Sequence, residues 1–291
     1  MINCEEYTLA HSIEAALQAL AVAPGPAHIV AGGTDLLLDL DQGRLDPIHT
    51  LVDVTQIPEL NIIETRDAEV FIGAAVPHNK ITAADRVREN AQALVEACGL
   101  IGGPQVRNVA TLGGNVAHAL PAADGTIALM ALDASAEIAS PGGTRRVPLA
   151  TLFKGPGENT LDARNELLIG FYLPLRTPGQ ASAFQRVMRP QGVAIAILNC
   201  AVWLQRDADT LQDIRISFGP SGPTPRRMTA AEDFLRGKAP TDQTLSQAYD
   251  LILEQASFRT SRHRASLDYR REVAGVLLRE TVHTAWDRAK L

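Results

Sequence analysis

Cysteine is scarce in this chain, and the cysteines that are present form no recognisable pattern. The 291 residues include three of them, Cys4, Cys98 and Cys200, which are odd in number and widely separated. A disulfide framework needs pairs of cysteines, and a zinc or redox site needs close spacings such as C-x-x-C. The sequence therefore predicts neither kind of site, and buried free thiols are the ordinary interpretation.

Long apolar runs and an excess of basic residues are also missing. Apolar runs such as Ala19 to Ala23 are far too short to cross a bilayer, and the acidic N-terminal residues lack the apolar segment of a signal peptide. The net charge is −6, whereas a nucleic-acid footprint needs clustered Lys and Arg. We therefore expect a cytoplasmic protein with no membrane span and no nucleic-acid partner.

The G-x-G-x-x-G fingerprint of Rossmann dinucleotide-binding domains is absent as well, but two Gly-Gly bends are present. The first bend, residues 31–36 (AGGTDL), follows a short strand candidate and precedes an apolar stretch. The second bend, residues 111–115 (TLGGN), lies well downstream. Adjacent glycines remove Cβ atoms where backbone N–H groups must close on a bulky anion, and a helix that begins there adds its positive end. The pair of bends therefore predicts a pyrophosphate site.

One acidic residue closes the stretch that begins at the second bend. Asp124 lies shortly before the apolar run from Ile127 to Leu132, which predicts a short helix. A carboxylate at this position can cap the helix or accept a hydrogen bond from a ribose hydroxyl. The sequence leaves both roles open.

Hydrophobic periodicity predicts an α+β chain with two domains. Short strand candidates alternate with helices in the first part, including a helix capped by Ser12 and one from Val87 to Leu100. The stretch that starts at Arg176 carries Pro and Gly and is the best boundary, so we expect domains at residues 1–177 and 178–291. In the second domain, three strand candidates predict an antiparallel sheet followed by helices: Ala183–Met188, Val193–Leu204 and Leu211–Phe218.

Taken together, the two bends resemble those of the FAD-binding medium subunits of molybdenum hydroxylases, a family that includes xanthine dehydrogenase and carbon monoxide dehydrogenase. That family carries an A-G-G-[ST]-D-L bend and, farther along, T-[IL]-G-G-N. The resemblance extends to Arg107–Ala110 and to Arg264–Arg271, so it covers nearly the whole chain. It implies a two-subdomain FAD-binding domain of the vanillyl-alcohol-oxidase (PCMH) type, followed by a C-terminal antiparallel sheet with helices.

The resemblance also implies which residues contact the flavin. Both bends would bind the pyrophosphate, Leu168 would pack beside the isoalloxazine ring, and Gln185 stands where the family has a lysine. That departure removes a cation that favours the anionic reduced flavin, and Arg186 or Arg189 is the neighbouring candidate to replace it. The predicted cofactor-binding residues are Ala31, Gly32, Gly33, Thr34, Asp35, Leu36, Arg107, Thr111, Leu112, Gly113, Gly114, Asn115, Asp124, Leu168 and Gln185.

The family divides its chemistry among subunits, which implies a role for this chain. It would hold FAD non-covalently and pass electrons between two [2Fe–2S] clusters of a small subunit and an external acceptor, while a large subunit holds the molybdopterin. We expect a dimer of heterotrimers, with no catalytic and no metal-binding residue in this chain. Two alternatives stay open: a self-sufficient FAD-dependent reductase on the same fold, and a flavin-free assembly scaffold. The substrate is chosen in another subunit, so purine, CO, aromatic thioester and aldehyde are equally open.

Overall fold

The computed structural model describes residues 4–190 and 194–290, and its first layer is a small parallel sheet. The elements of this layer are β1 (Cys4–Leu9), α1 (Ile13–Val22), β2 (Ala27–Val30), α2 (Leu36–Asp41) and β3 (Ile48–Asp53). The strand order is β1-β3-β2, and both pairings are parallel. Ser12 Oγ accepts the N–H of Ala15 at 3.1 Å, which confirms Ser12 as the N-cap of α1. Because β2 ends at Val30, the first bend begins at the carboxyl edge of this sheet, where ligands of parallel sheets bind.

The next part of the chain builds a larger, antiparallel sheet. Its elements are β4 (Ile63–Arg66), β5 (Glu69–Gly73), α3 (His78–Ala83), α4 (Asp85–Asn90), α5 (Gln92–Leu100), α6 (Pro104–Arg107), α7 (Leu112–Ala117), α8 (Asp124–Ala131), β6 (Ser135–Ser140), β7 (Gly143–Pro148), β8 (Phe153–Gly155), β9 (Glu158–Asn159) and β10 (Leu167–Pro174), with 3₁₀ turns at Pro58–Asn61 and Leu149–Leu152. The sheet has the order β4-β5-β10-β6-β7, and β8 pairs with β9 in a separate hairpin. Ile72, Leu129 and Phe171 belong to its apolar core. The second bend opens α7, on the helical side of this layer.

The last part of the chain forms a second antiparallel sheet with its own helices. The elements are β11 (Gln180–Val187), β12 (Leu198–Asp207), β13 (Thr210–Gly219), β14 (Arg226–Arg227), α9 (Thr229–Leu235), α10 (Asp242–Gln255) and α11 (Leu267–Arg288). The strands pair in sequence order, β11-β12-β13-β14. Val202 and Ile216 of the sheet share a core with Leu277 and Val282 of α11. The α+β fold expected from the sequence is confirmed.

Two predicted elements differ from the structure in their limits. The stretch from Val87 to Leu100 is not one helix, because Ala91, with φ −143° and ψ 56°, separates α4 from α5. Neither Gly nor Pro marks this break, and the apolar spacing continues across it, so the sequence gives no signal of it. The start of the predicted strand at Val193 lies outside the described residues, and β12 begins at Leu198.

Hydrogen bonds join the C-terminal sheet to the helices of the central layer. Glu96 of α5 accepts the main-chain N–H of Phe184 at 2.8 Å and a hydrogen bond from Arg288 of α11. Asn199 of β12 donates to the carbonyl oxygen of Ala122 at 3.2 Å, just before α8. The C-terminal sheet therefore packs beside the segment that follows the second bend. Within the described ranges, no helix is both long enough and apolar enough to cross a membrane.

Candidate functional site

The fold brings the first glycine bend into direct contact with the two residues that precede the second. A Cβ atom placed on Gly32 would lie 2.1 Å from the carbonyl oxygen of Val109 and 2.8 Å from Cα of Ala110. Such distances are possible only without a side chain, so a glycine is required at this position. Val109 and Ala110 lead directly into the second bend. The first bend therefore packs against the segment that precedes the second bend.

The first bend carries a run of unused backbone donors. Gly33 has a φ of +65°, and Leu37 donates its N–H to the Gly33 carbonyl at 2.9 Å as α2 begins. No acceptor within the described parts of the chain takes the main-chain N–H groups of residues 32–36. The bend is partly exposed, so a ligand can reach these groups. Successive amides that converge around a left-handed glycine form an anion-binding concavity.

The second bend uses its backbone donors differently. Leu112 donates to the Val76 carbonyl at 3.2 Å, and Gly113 donates to the Ala74 carbonyl at 2.8 Å. Gly114 donates to Thr111 Oγ1 at 3.1 Å, which makes Thr111 the N-cap of α7. These amides hold the bend against the end of β5 and are not available to an anion. Among the described residues, the Thr111 N–H has no acceptor and therefore stays free.

Asn115 ties the second bend to α8. Its Oδ1 atom accepts the main-chain N–H of Thr126 at 3.0 Å and the hydroxyl of Thr126 at 3.1 Å. Thr126 is completely buried, so this link fixes α7 against α8. The side-chain amide nitrogen of Asn115 has no acceptor within the part of the chain that the structure describes, which leaves it as a second free donor beside Thr111.

Asp124 is buried between the central layer and the C-terminal sheet. It is the first residue of α8 and is not its N-cap, because Ala123 holds that position. The helix-cap role left open by the sequence is therefore wrong. Asn199 donates to Asp124 Oδ1 at 2.6 Å, and Arg186 forms an ion pair with Oδ2. Burial raises the pKa of Asp124, and the Arg186 charge and the Asn199 hydrogen bond oppose that rise.

Two further residues support the segment between the bends. Arg107 donates to the carbonyl oxygens of Ile101 and Gly102 at 3.0 and 2.7 Å, so it braces the turn before α6. His78 donates its main-chain N–H to Ala110 at 3.0 Å, and its Nδ1 atom is buried without a hydrogen-bond partner. Burial and the nearby Arg107 charge lower the pKa of His78 to about 4, so its imidazole is neutral at pH 7.

The remaining two predicted residues lie away from the glycine bends along the chain. Leu168 is inside β10, is 5% exposed and belongs to the core of the central layer. Gln185 lies on β11 and donates to Thr284 Oγ1 of α11 at 3.4 Å. Its neighbour Arg186 is engaged by Asp124 and by the Leu100 carbonyl, so it is not a free cation that could replace the family lysine.

Comparison with protein families places both halves of the chain. A family described as the FAD-binding domain in molybdopterin dehydrogenase matches residues 3–176, which is more than half of the chain. The carbon monoxide dehydrogenase flavoprotein C-terminal domain matches residues 182–285. The first match contains both glycine bends, and the second contains the C-terminal sheet and most of its helices.

Individual proteins and structures agree with these matches. The putative xanthine dehydrogenase FAD-binding subunit XdhB of Escherichia coli (strain K12) is 31% identical over 288 residues, which cover 98% of this chain and 97% of that protein. The carbon monoxide dehydrogenase medium chain of Hydrogenophaga pseudoflava is also 31% identical, over 97% of both chains.

The structure of carbon monoxide dehydrogenase from H. pseudoflava without the Mo-pyranopterin moiety superposes with a TM-score of 0.93 at 30% identity and covers 99% of both chains. Quinoline 2-oxidoreductase from Pseudomonas putida 86 superposes with a TM-score of 0.90 at 28% identity and covers 98% of both chains. The chain therefore belongs to the FAD-binding medium subunits of the xanthine and carbon monoxide dehydrogenase family, which are flavoprotein subunits of oxidoreductases.

Proposed function

We propose that this chain holds FAD non-covalently and passes electrons between iron–sulfur clusters of a partner subunit and an external acceptor. Bound flavin supplies the capacity to take up and release electrons, and the protein supplies its position and surroundings. The relatives named above are a medium chain and an FAD-binding subunit, which supports a role within a larger complex. The partners in this proposal are a large molybdopterin subunit and a small subunit with two [2Fe–2S] clusters, assembled as a dimer of heterotrimers.

The observation that carries the FAD site is the row of unused amides in the first bend. A pyrophosphate spreads its negative charge over several oxygens, each of which can accept from a backbone N–H. Residues 32–36 present five such donors without an internal acceptor in the described residues. A side chain at Gly32 would collide with Val109, so only a bare backbone lets the two bends form one cradle. These features fit the pyrophosphate of FAD.

The second bend has a different task in this proposal. The N–H groups of Leu112, Gly113 and Gly114 are bound to Val76, Ala74 and Thr111, so the bend contributes shape. It also offers the free Thr111 N–H and the Asn115 side-chain amide. Arg107 keeps the preceding turn in place, and Asp124 holds α8 against the C-terminal sheet. Leu168 and Gln185 are proposed to lie near the isoalloxazine ring. The FAD-binding domain then comprises residues 1–177, and residues 178–291 form the second domain.

The test uses two glycines with the same positive φ angle. Gly33 and Gly43 both have a φ of +65°, at opposite ends of α2. Alanine at either position costs about 1 kcal/mol for the left-handed φ. At Gly33 the new methyl group would also lie 3.1 Å from Leu37 Cδ1, whereas at Gly43 it would meet nothing within 4 Å. Only Gly33 lies in the amide row, so circular dichroism and the melting temperature of Gly33→Ala are needed to separate lost binding from lost packing. We expect the purified wild-type chain to carry FAD, Gly33→Ala to bind FAD about tenfold more weakly or worse, and Gly43→Ala to bind it normally.

Flavin absorbance and release of FAD on acid denaturation measure these outcomes, and circular dichroism checks the fold. A folded wild-type chain that carries no flavin and binds none on addition would contradict the proposal and favour the assembly scaffold. Equal FAD affinity in Gly33→Ala and Gly43→Ala would remove the amide row from the site.

A further inference from the structure

A cleft lies on the outer side of the C-terminal domain, between α10 and α11. It has a volume of about 220 Å³ and is open to solvent. Gly275 of α11 and Tyr249 of α10 both line it, and a Cβ atom placed on Gly275 would lie 3.4 Å from the Tyr249 ring. Tyr249 also donates its hydroxyl to the main-chain carbonyl of Arg271 at 2.9 Å, which ties α10 to α11. The cleft is therefore bounded by two helices that are packed and bonded to each other.

The side of α11 that lines the cleft exposes apolar surface. Val276 lines the cleft and is 48% exposed, and Tyr269, two helical turns earlier, is 45% exposed. Residues at this spacing lie on one face of a helix. Large apolar side chains that share an exposed face are typical of a contact surface. The outer face of α11 therefore has the apolar residues of an interface.

Charges of opposite sign lie at the two ends of the cleft. Glu272 lines one end and Arg279 the other, and both residues are exposed. Glu272 forms no ion pair within residues 4–190 and 194–290, and Arg279 lies 3.5 Å from Asp242 in an exposed pair. Exposed pairs of this kind contribute only about 0–1 kcal/mol. Both charges are therefore available to a group that enters the cleft.

The order of charges along α11 is complementary to itself. Glu272 and Arg279 lie at equal distances in sequence from the middle of the α11 side of the cleft, and Asp268 and His283 lie farther out, again at equal distances. When two copies of a helix pack antiparallel about a two-fold axis, each residue faces the one at the same distance on the other side of the centre. Each acid then faces the base of its own pair in the second copy. In a parallel arrangement each charge would face its own copy and be repelled.

We propose that this cleft is a contact between two copies of the chain, with their α11 helices antiparallel and Val276 beside the two-fold axis. Val276 of each copy packs into the cleft of the other, and Glu272 of each copy pairs with Arg279 of the other. Charges at the edge of an interface set orientation and partner choice more than affinity, so the dimer is weak and depends on concentration. The contact uses neither glycine bend, so it is separate from the proposed FAD site.

The test compares two charge-reversed variants of the full chain, alone and mixed. In Glu272→Arg both ends of the cleft are basic, and in Arg279→Glu both are acidic, so either variant alone brings like charges together across the two-fold axis. We expect each variant to dimerise at least about a hundredfold more weakly than the wild type. An equimolar mixture restores both attractive pairs and should associate about as well as the wild type. Sedimentation equilibrium over a range of protein concentrations measures these dissociation constants.

The matched controls are Glu280→Arg and Arg271→Glu, which make the same changes at exposed positions of α11 that do not line the cleft. Both should dimerise like the wild type.

A wild-type chain that stays monomeric at every concentration would overturn the proposal, as would a mixture of Glu272→Arg and Arg279→Glu that associates no better than either variant alone. If the isolated chain is monomeric and both variants lose other subunits from the purified complex, the cleft binds another subunit and the proposal is wrong. Gly33→Ala should dimerise normally, so failure of the FAD site and failure of this contact give different results.

Discussion

The two glycine bends look alike in sequence but use their backbone amides in opposite ways. The first bend follows a strand of the small parallel sheet and leaves the N–H groups of residues 32–36 without acceptors in the described structure. The second bend gives the N–H groups of Leu112 and Gly113 to the carbonyls of Val76 and Ala74. The N–H groups of the first bend are therefore available to a ligand, whereas those of Leu112 and Gly113 in the second bend hold it against the segment after β5.

This difference separates two uses of glycine that a motif cannot distinguish. At Gly33 the glycine permits a positive φ, which directs successive amides to one side. At Gly113 it permits close approach, because a Cβ atom would lie 2.5 Å from the Ala74 carbonyl oxygen. Gly32 belongs to the first bend but has the same use as Gly113, since it lies against Val109. The cradle therefore depends on the contact between the bends as much as on the free donors.

Breaking that contact is expected to have the largest effect. In Gly32→Ala the new methyl group would lie 2.1 Å from the Val109 oxygen, which is backbone and cannot rotate away. The bends must then separate, and we expect FAD affinity to fall by about a thousandfold, equivalent to roughly 4 kcal/mol. Fluorescence titration of the flavin-free chain with FAD measures the change.

Gly142→Ala is the control for this variant, because the nearest atom to its new methyl group, Ser140 Oγ, would be 3.9 Å away. It should bind FAD normally. A Gly32→Ala protein with wild-type affinity would show that the bends need not touch.

The local parts of this arrangement were predictable from the sequence, and their connections were not. The bends, the cap at Ser12 and the short helix after Asp124 follow from residues within a few positions of one another. The carbonyls that accept from the second bend belong to Ala74 and Val76, in the segment after β5, and Asp124 is paired with Arg186 of β11 and Asn199 of β12. Sequence patterns carry no information on which distant carbonyl or guanidinium will meet a given donor.

The protonation of His78 tests the packing around the second bend, because His78 donates its main-chain N–H to Ala110, the residue before that bend. Its effect on the free energy of unfolding is expected to be intermediate among these predictions. The folded protein has a His78 pKa of about 4, against 6.5 for a free histidine. As the pH falls from 6.5 to 4, the unfolded chain takes up a proton at His78 that the folded chain does not. The free energy of unfolding therefore decreases with acidification, by roughly 3 kcal/mol from this residue over that range.

Urea unfolding of the wild type and of His78→Leu at several pH values isolates this contribution. His28, whose pKa is also lowered by burial, is present in both proteins and cancels in the difference. The variant should show a shallower loss of stability between pH 6.5 and 4. Parallel pH profiles would mean that His78 is not held neutral beside Arg107.

The smallest effect is expected at Gly114, the one glycine of the second bend that is exposed. A methyl group there would meet Thr111 Oγ1 at 3.2 Å and no other described atom within 4 Å, and alanine favours helix α7 by about 0.5–1 kcal/mol. The stability of Gly114→Ala should therefore equal or slightly exceed that of the wild type.

If the cofactor lies against this face of α7, the methyl group of Gly114→Ala occupies part of its space, and FAD affinity should fall by about tenfold, or 1.4 kcal/mol. Gly99→Ala, at another exposed helical glycine, should leave that affinity unchanged. Normal FAD binding by a stable Gly114→Ala protein would show that the cofactor does not lie against this face of α7, where the N–H groups of Leu112, Gly113 and Gly114 are already used within the fold.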